Sequence, residues 1–242
     1  MKPRIKLLTL WVGPLPNYAL DFARRARDIK IIDWELLWFG DVEQVNRLVT
    51  ERLGTPCRKQ SGYALSDLRP MLARMFPYKV DGFDWWGWVE IDTVLGDLDN
   101  LLPQLLWEYH AISCFPNSVS GPLMLLYNFG RINDLFHAGD WLDILAEPTY
   151  CNFEETQREN GGLTKLLKDS GLKVYWDNRF SLTYESDPAH PTPAGCRLEG
   201  NKLIEEPSER ELLIYHFNHL KRWPMGLPVS ETEAALERRK GL

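Results

Sequence analysis

Residues 84–97 read DWWGWVEIDTVLGD, and this stretch decides where the sheet and the site of the chain are expected. Large apolar residues from Trp85 to Ile91 are typical of a strand that is buried on both faces. Glu90 and Asp92 stand two residues apart, and in an extended chain such residues point to the same side. Two carboxylates at the end of an apolar strand are costly to bury without a positive partner, and a divalent cation with oxygen ligands is the natural one. The alternative is a strand end whose acids are simply solvated.

The chain before this stretch alternates apolar strands with amphipathic helices. Ile5–Val12 and residues 34–39 have the pattern of buried strands, whereas Val42–Leu53 and a segment that begins at Tyr18 have helical spacing. Strands and helices that alternate through short connections predict an α/β domain whose mostly parallel central sheet is flanked by helices. We expect the first two strands and Trp85–Ile91 to be neighbours in that sheet.

Length and composition predict a single domain over residues 1–242. The chain is 44% hydrophobic, and no linker separates two parts of it. No apolar run approaches the roughly 20 residues that a membrane-spanning helix needs. The four cysteines are scattered, which predicts neither a disulfide framework nor a zinc knuckle and favours a reducing cytoplasm.

The formal net charge of −6 bears on the kind of ligand. It argues against a protein that holds nucleic acid by broad neutralisation of phosphates, although it leaves a nucleic-acid acceptor open. An acidic protein that binds a phosphate compound needs a cation between the two negative partners. Net charge therefore strengthens the prediction of a metal site at Glu90 and Asp92.

A second candidate segment is residues 61–76, SGYALSDLRPMLARMF, which predicts a helix with Ser66 as its N-cap. Tyr63, Asp67 and Arg69 lie on the approach to this helix. A phosphate at that point would meet the Arg69 guanidinium and backbone N–H groups. The alternative is a surface helix with an intrahelical charge pair.

The second half of the chain contributes two further candidates. Glu154 and Glu155 stand in a polar segment before a predicted helix, and a solvated pair of loop acids is the alternative. His216 follows the apolar run Leu212–Tyr215 and is either a further metal ligand or a histidine satisfied in the core. The basic cluster beside it, which includes Lys221, favours the ligand.

Several segments resemble those of a small, largely uncharacterised glycosyltransferase-like family with the GT-A fold, often encoded among surface-polysaccharide genes. The most specific is residues 83–98, similar to the family's Tyr-Asp-x-Trp-Gly-x-x-Asp-x-Asp-x-x-x-Gly-Asp-Leu segment. Residues 62–70 are similar to its Tyr-Lys-x-x-Asp-x-Lys-Pro motif, and GPLPNY, FEE and a C-terminal His-Phe-x-x-Leu-Lys also match. Glu90 stands where the family usually has Asp, and Arg69 where it usually has Lys, so both positions keep their charge.

The resemblance implies one GT-A-like domain that binds a nucleotide-diphosphate-sugar donor with residues 1–110 and a hydroxyl acceptor, such as a glycan or other polymer, with residues 111–242. Glu90 and Asp92 would hold Mn²⁺ or Mg²⁺ against the donor pyrophosphate, with His216 as a further candidate ligand. These metals are preferred over Zn²⁺ because the ligands are mostly oxygen.

The remaining candidate residues take roles in the same transfer reaction. In an inverting reaction, Glu154 or Glu155 would take the proton of the acceptor hydroxyl. Four residues are assigned to the donor pocket by their positions at a strand end and at a helix N-terminus, namely Trp11, Tyr63, Asp67 and Arg69. Positive charge on the donor phosphates would come from Arg69 and Lys221.

Two other functions share these features. A nucleotidyltransferase has the same kind of α/β sheet and paired acids, but no glycine-rich loop bearing Lys or Arg follows the first strand. A non-catalytic nucleotide- or glycan-binding module would keep the same fold. The intact acids Glu90 and Asp92 count against such a module.

Overall fold

The structure, a computed structural model, describes residues 3–155, 161–177, 181–183, 196–205 and 208–217. The strands, in chain order, are β1 (Ile5–Val12), β2 (Ile32–Phe39), β3 (Trp85–Val89), β4 (Thr93–Leu95), β5 (Ala111–Ser113), β6 (Leu123–Tyr127), β7 (Val174–Trp176), β8 (Ser181–Thr183), β9 (Cys196–Glu199), β10 (Lys202–Glu205), β11 (Arg210–Leu212) and β12 (Ile214–His216). The helices are α1 (Ala19–Asp28), α2 (Val42–Leu53), α3 (Leu72–Met75), α4 (Pro77–Val80), α5 (Leu98–Glu108), α6 (Gly130–Asn133), α7 (Trp141–Ala146) and α8 (Leu163–Asp169). Two 3₁₀ helices span Tyr63–Met71 and Leu135–Ala138. Within these ranges, no helix combines the length and the apolar character that a membrane crossing requires.

The central sheet has six strands in the order β2-β1-β3-β6-β5-β7. β1 pairs in parallel with both β2 and β3, and β5 pairs in parallel with β7. β6 is antiparallel to both of its neighbours, β3 and β5. The α/β class and the mostly parallel sheet flanked by helices are therefore confirmed. The predicted adjacency of the first three strands is also confirmed, with β1 between the other two.

Two hydrophobic clusters cover opposite faces of this sheet. Trp85 and Val89 of β3 belong to the cluster that contains residues of α1 and α5. Trp86 and Trp88 belong to the cluster that contains residues of α2 and of the 3₁₀ helix Tyr63–Met71. Because both faces are covered, the sequence of β3 is a continuous apolar run without polar alternation.

Two small sheets complete the described chain. One is the antiparallel sheet β11-β10-β9, whose β9–β10 hairpin turns at Gly200 and Asn201. The other has the order β4-β12-β8, with β12 antiparallel to β4 and parallel to β8. This second sheet joins the segment after Asp92 to the strand that ends at His216.

The structure corrects the prediction of a regular helix with Ser66 as its N-cap. A 3₁₀ helix begins earlier, at Tyr63, and continues to Met71. Pro70 lies inside it, and proline has no N–H to donate to a carbonyl one helical turn earlier, which disfavours a continuous α-helix at this point. The segment becomes α-helical only from Leu72.

Strand ends also differ from the predictions. β3 ends at Val89 rather than Ile91, and β2 begins two residues before residue 34. The ladder between β3 and β6 stops because the next residue opposite is Pro122, which has no N–H to donate. Glu90 therefore lies just outside the sheet.

We expect Gly87→Ala to destabilise the fold by about 3 kcal/mol or more, since added bulk in a packed core costs this much when nothing can move away. Gly87 lies in the middle of β3, where a Cβ would stand 1.9 Å from the Met124 backbone oxygen of β6. Gly130→Ala is the matched control, because a Cβ at Gly130 meets no atom within 4 Å. Urea denaturation measures both variants, and equal unfolding midpoints for the two would contradict the close β3–β6 approach.

Candidate active site

The strand order of the central sheet reverses at β1, which has β2 on one side and β3 on the other. In open α/β sheets, ligands bind in the crevice at the carboxyl ends of the strands beside such a reversal. Glu90 is the first residue after β3 at this edge, and its backbone N–H donates to the Pro122 carbonyl oxygen at 3.0 Å. The start of β6 lies beside it, because Val89 pairs with Leu123. The acid motif and the reversal point of the sheet thus coincide.

Glu90, Asp92 and His216 form a compact cluster at this edge. One ligand atom of each residue lies within 4.8 Å of those of the other two. His216 Nε2 is 3.0 Å from Glu90 Oε2 and 3.6 Å from Asp92 Oδ1. The His216 side chain is 6% exposed, whereas that of Glu90 is 24% exposed. Solvent therefore reaches the cluster from the Glu90 side.

His216 reaches the two acids through the β4–β12 ladder. In this ladder Thr93, the residue after Asp92, is the register partner of His216. The Phe217 backbone N–H donates to the Asp92 carbonyl oxygen at 2.9 Å, which closes the ladder at the site. Gly96 permits the close approach of the segment around Leu212, since a Cβ at position 96 would stand 2.0 Å from the backbone oxygen of Leu212.

The cluster holds opposite charges in close contact. Burial by itself lowers the pKa of His216, but the Asp92 and Glu90 carboxylates outweigh burial and raise it to about 9. Burial by itself raises the pKa of Glu90, but Arg69 and then His216 outweigh it and lower that pKa to about 2. At neutral pH the imidazole is consequently charged and Glu90 is ionised. A metal ion bound through the imidazole would replace its proton.

The donor atoms of the cluster fit a divalent cation. His216 is buried, its Nδ1 has no hydrogen-bond partner within the described ranges, and its Nε2 is the atom that pairs with the two carboxylates. Its Nε2 lies 3.0 Å from a Glu90 oxygen and 3.6 Å from an Asp92 oxygen, and a cation bound in place of the imidazole proton would contact all three groups. Carboxylate oxygens suit Mg²⁺ and Mn²⁺, and the added imidazole favours Mn²⁺ over the harder Mg²⁺.

Arg69 joins this cluster to the second half of the chain. One terminal nitrogen, Nη2, makes an ion pair with Glu90 Oε1, and the other, Nη1, lies 3.2 Å from Glu154 Oε1. Nη1 is also 3.4 Å from the Gly121 carbonyl oxygen. Burial opposes the charge of Arg69, but Glu90 and Glu154 outweigh burial and raise the pKa of the guanidinium. Arg69 is thus already engaged with two carboxylates.

Glu154 is a fully buried acid beside Arg69. Its side chain has no exposed surface, and the Tyr150 hydroxyl lies 3.4 Å from its Oε1. Its Oε2 has no hydrogen-bond partner among the described residues. Burial raises the pKa of Glu154 to about 7 in spite of the opposing charge of Arg69. A carboxyl group that titrates near neutrality is suited to accept or donate a proton.

Glu155 lies on the other side of Gly121. Its Oε1 accepts the Gly121 backbone N–H at 3.1 Å, and burial raises the pKa of this carboxyl group. A Cβ at Gly121 would stand 2.6 Å from Glu155 Oε1 and 3.1 Å from Arg69 Nη1. Glycine therefore lets the guanidinium and the Glu155 carboxylate flank the chain at this point.

Asp67 lies elsewhere than predicted, because it is buried and both of its carboxylate oxygens already accept hydrogen bonds from the protein. Its Oδ2 accepts the Lys59 ammonium at 2.7 Å and the Cys151 backbone N–H at 2.8 Å, and its Oδ1 accepts the Phe153 backbone N–H at 2.8 Å. Lys59 is equally buried and also donates to the Thr149 carbonyl oxygen. Asp67 thus fixes the segment that leads into Glu154.

The remaining predicted residues have different surroundings. Trp11 is partly buried against the core, and its indole N–H donates to the Pro14 carbonyl oxygen at 3.1 Å. Tyr63 is 69% exposed, and its ring packs on that of Tyr150 with centroids 4.5 Å apart. Lys221 lies outside the described residues.

Sequence reasoning missed two tyrosines of the site. Burial and then Asp92 and Glu90 raise the pKa of Tyr18 to about 12, so this tyrosine neighbours the acid cluster. The signal for Tyr18 was its place at the end of the GPLPNY motif. Tyr150, which contacts Glu154, stands in no motif, and no pattern in the sequence marks it.

We expect Glu154→Gln to change how stability depends on pH. Folding raises the pKa of Glu154 from 4.5 to about 7, so the native state binds more protons than the unfolded state over that window. The contribution of Glu154 to the free energy of unfolding of the wild type therefore falls as pH rises from 4.5 to 7. Glutamine does not titrate, so the variant lacks this decrease. Relative to wild type, the variant gains on the order of 2–3 kcal/mol between pH 4 and pH 8.

Urea denaturation across this pH range measures the difference in unfolding free energy. Glu43→Gln, at an exposed position in the first turn of α2, is the control for loss of one acid. A Glu154→Gln difference that stays constant over the whole range would show that Glu154 titrates as an ordinary glutamate.

We expect Asp67→Asn to cost about 3–5 kcal/mol, because it leaves the buried Lys59 ammonium without a counter-ion. Lys59→Met should cost less, since Asp67 keeps two backbone donors, and the double variant should cost less than the two losses added together. The exposed pair Lys173–Glu108, also 2.7 Å apart, is the control and should couple by less than about 1 kcal/mol. Chemical denaturation of both cycles measures the coupling, and equal coupling in the two pairs would contradict the role given to Asp67.

Comparison with known proteins gives a family without a known activity. Residues 21–190 match the sequence model of a family that is described as a family of unknown function (DUF6625). The matched range includes Arg69, Glu90, Asp92 and Glu154, and it ends before His216. No curated protein matches the chain. Because the matched range covers well over half of its residues, the chain belongs to the DUF6625 family.

Proposed function

We propose that the chain is a metal-dependent glycosyltransferase that moves a sugar from a nucleotide-diphosphate sugar to a hydroxyl group of a glycan or other polymer. The observation that carries this proposal is the meeting of Glu90, Asp92 and His216 within 4.8 Å at the carboxyl edge of the sheet. Beside them, Glu154 is a buried carboxyl group with a pKa of about 7. A cation site next to a proton acceptor is the pair of groups that this reaction uses.

Glu90, Asp92 and His216 would hold the cation, and Mn²⁺ suits their two carboxylates and one imidazole. When bound, such a cation neutralises negative charge on the leaving diphosphate. The cation carries most of this neutralisation, because the charge of Arg69 is already shared between Glu90 and Glu154. With a net charge of −6, the protein depends on the cation for binding a polyanion.

Glu154 serves as the base in this proposal. The acceptor oxygen forms a bond to the anomeric carbon, the bond from that carbon to the diphosphate breaks, and the hydroxyl proton passes to the Glu154 carboxylate. Support comes from its Oε2, which is buried and has no hydrogen-bond partner in the described part of the chain. Glu155 is less suited, because its Oε1 already accepts the Gly121 N–H.

In this proposal Arg69 holds the carboxylates of Glu90 and Glu154 in position by pairing with both. It contacts Glu90 of the cation site and Glu154, the base, and its side chain is only 15% exposed. The phosphate contact of Arg69 expected from the sequence stays a prediction. Trp11 and Lys221 stay predictions for the donor side.

We expect nucleoside diphosphates and nucleotide sugars to raise the melting temperature of the wild-type protein only when Mn²⁺ is present. At about a hundred times the Kd, the shift should be about 5 °C or more for a chain of this length. Asp92→Asn should lose the Mn²⁺-dependent shift, because it removes one charged ligand. Asp81→Asn, at an exposed position before β3, is the matched control and should keep it.

A thermal-shift screen with each nucleotide, with and without Mn²⁺, provides the measurement. If Asp92→Asn keeps the full Mn²⁺-dependent shift, the cation site is wrong and the proposal loses its main support. Analysis of the products separates the alternative activity, since a glycosyltransferase releases a nucleoside diphosphate whereas a nucleotidyltransferase releases pyrophosphate from a triphosphate.

A further inference from the structure

Tyr63 and Tyr150 form an aromatic wall beside the candidate base. The two rings pack with centroids 4.5 Å apart, and Tyr63 is 69% exposed although it begins a well-buried 3₁₀ helix. The Tyr150 hydroxyl lies 2.9 Å from Asn152 Oδ1 and 3.4 Å from Glu154 Oε1. The wall is therefore linked directly to Glu154. Within the described residues, Arg69 connects Glu154, and with it the wall, to Glu90 of the cation cluster.

Three acidic residues lie near this wall. Burial and then the charges of Glu155, Glu154 and Glu90 raise the pKa of the Tyr63 hydroxyl, with Arg69 acting in the opposite direction. The guanidinium of Arg69 is already shared between Glu90 and Glu154. A phosphate or an acidic sugar would meet repulsion here, whereas a neutral ligand would not.

A neutral sugar ring matches both properties of the wall. The C–H groups on one face of a pyranose are apolar and pack on an aromatic ring, which removes apolar surface from water. The hydroxyl groups at its edge are donors, and ionised carboxylates accept such hydrogen bonds more strongly than neutral groups do. A flat nucleobase would also stack on Tyr63, but its phosphates would then have to reach the cation cluster past the paired Arg69.

We infer that Tyr63 and Tyr150 form the subsite for an uncharged pyranose of the acceptor, with one hydroxyl directed toward Glu154. This inference rests on the proposed glycosyltransferase function and deepens it, because it names the chemical class of the acceptor unit next to the base. It also moves Tyr63 from the donor pocket, where the sequence predicted it, to the acceptor side.

The test follows fluorine NMR signals of protein labelled with 3-fluorotyrosine, and Tyr63→Phe assigns the Tyr63 signal by its loss. The probes are methyl β-D-glucopyranoside, methyl β-D-galactopyranoside and methyl α-D-mannopyranoside, each titrated without metal. At least one should shift the Tyr63 signal saturably while the signal of Tyr78 stays in place. Tyr78 is a similarly exposed tyrosine on α4 and serves as the internal control.

Two further comparisons sharpen the result. Tyr63→Ala should weaken glycoside binding about ten-fold, read from the Tyr150 signal, whereas Tyr78→Ala should leave it unchanged. Methyl β-D-glucuronide differs from the glucoside by one carboxylate. It should bind about ten-fold more weakly, because Glu154, Glu155 and Glu90 lie near the wall.

The outcomes separate this inference from the proposed function. A Tyr63 signal that responds to a nucleoside diphosphate with Mg²⁺ but to none of the glycosides overturns the inference and leaves the transferase proposal standing. Equal binding of glucoside and glucuronide also overturns it, since the acids would then not face the ligand. A glycoside response in a protein that binds no nucleotide supports the sugar subsite and contradicts the transferase.

Discussion

The buried ion pair of Lys59 and Asp67 is the constraint on which the geometry of the site depends. A carboxylate with no exposed surface must be paired, and Asp67 takes one ammonium and two backbone N–H groups of the segment before Glu154. Asp67 also stands two residues before Arg69 on the same 3₁₀ helix. Asp67 thus positions the backbone before Glu154 and also lies on the helix that carries Arg69. The two distant parts of the chain that contribute Arg69 and Glu154 are therefore held together.

The charges of the site form an alternating series. His216 faces Glu90 and Asp92, Glu90 faces Arg69, and Arg69 faces Glu154. Against the effect of burial, Arg69 and His216 lower the pKa of Glu90 to about 2, whereas burial raises the pKa of Glu154 to about 7 although Glu154 also contacts Arg69. Two acids of the same type therefore take different states at the same pH because of their surroundings. This division gives one carboxylate a role in holding positive charge and the other a role in moving a proton.

The sequence was informative where patterns are long and poor where contacts are local. β1 and α2 have the predicted bounds because eight and twelve residues carry a clear period. Glu90, Asp92 and His216 were candidates by residue type, but their meeting depends on β4 and β12, which have three residues each and no readable period. The burial of Asp67 was not predictable, because its partner Lys59 stands in no motif. Pro70 was visible in the sequence, yet whether it would shorten, kink or tighten the helix depends on tertiary packing.

The β4–β12 ladder has a consequence for the order in which the molecule can be made. Asp92 and His216 are separated by more than a hundred residues, so the carboxylates are synthesised long before the imidazole that lies between them. During synthesis the first strands can pair while the acid edge still lacks its histidine. Closing so long a loop is a late and entropically costly step of folding. A cation that binds both acids and His216 would stabilise the chain after that last step. Metal binding and completion of the fold would therefore be linked in the newly made chain.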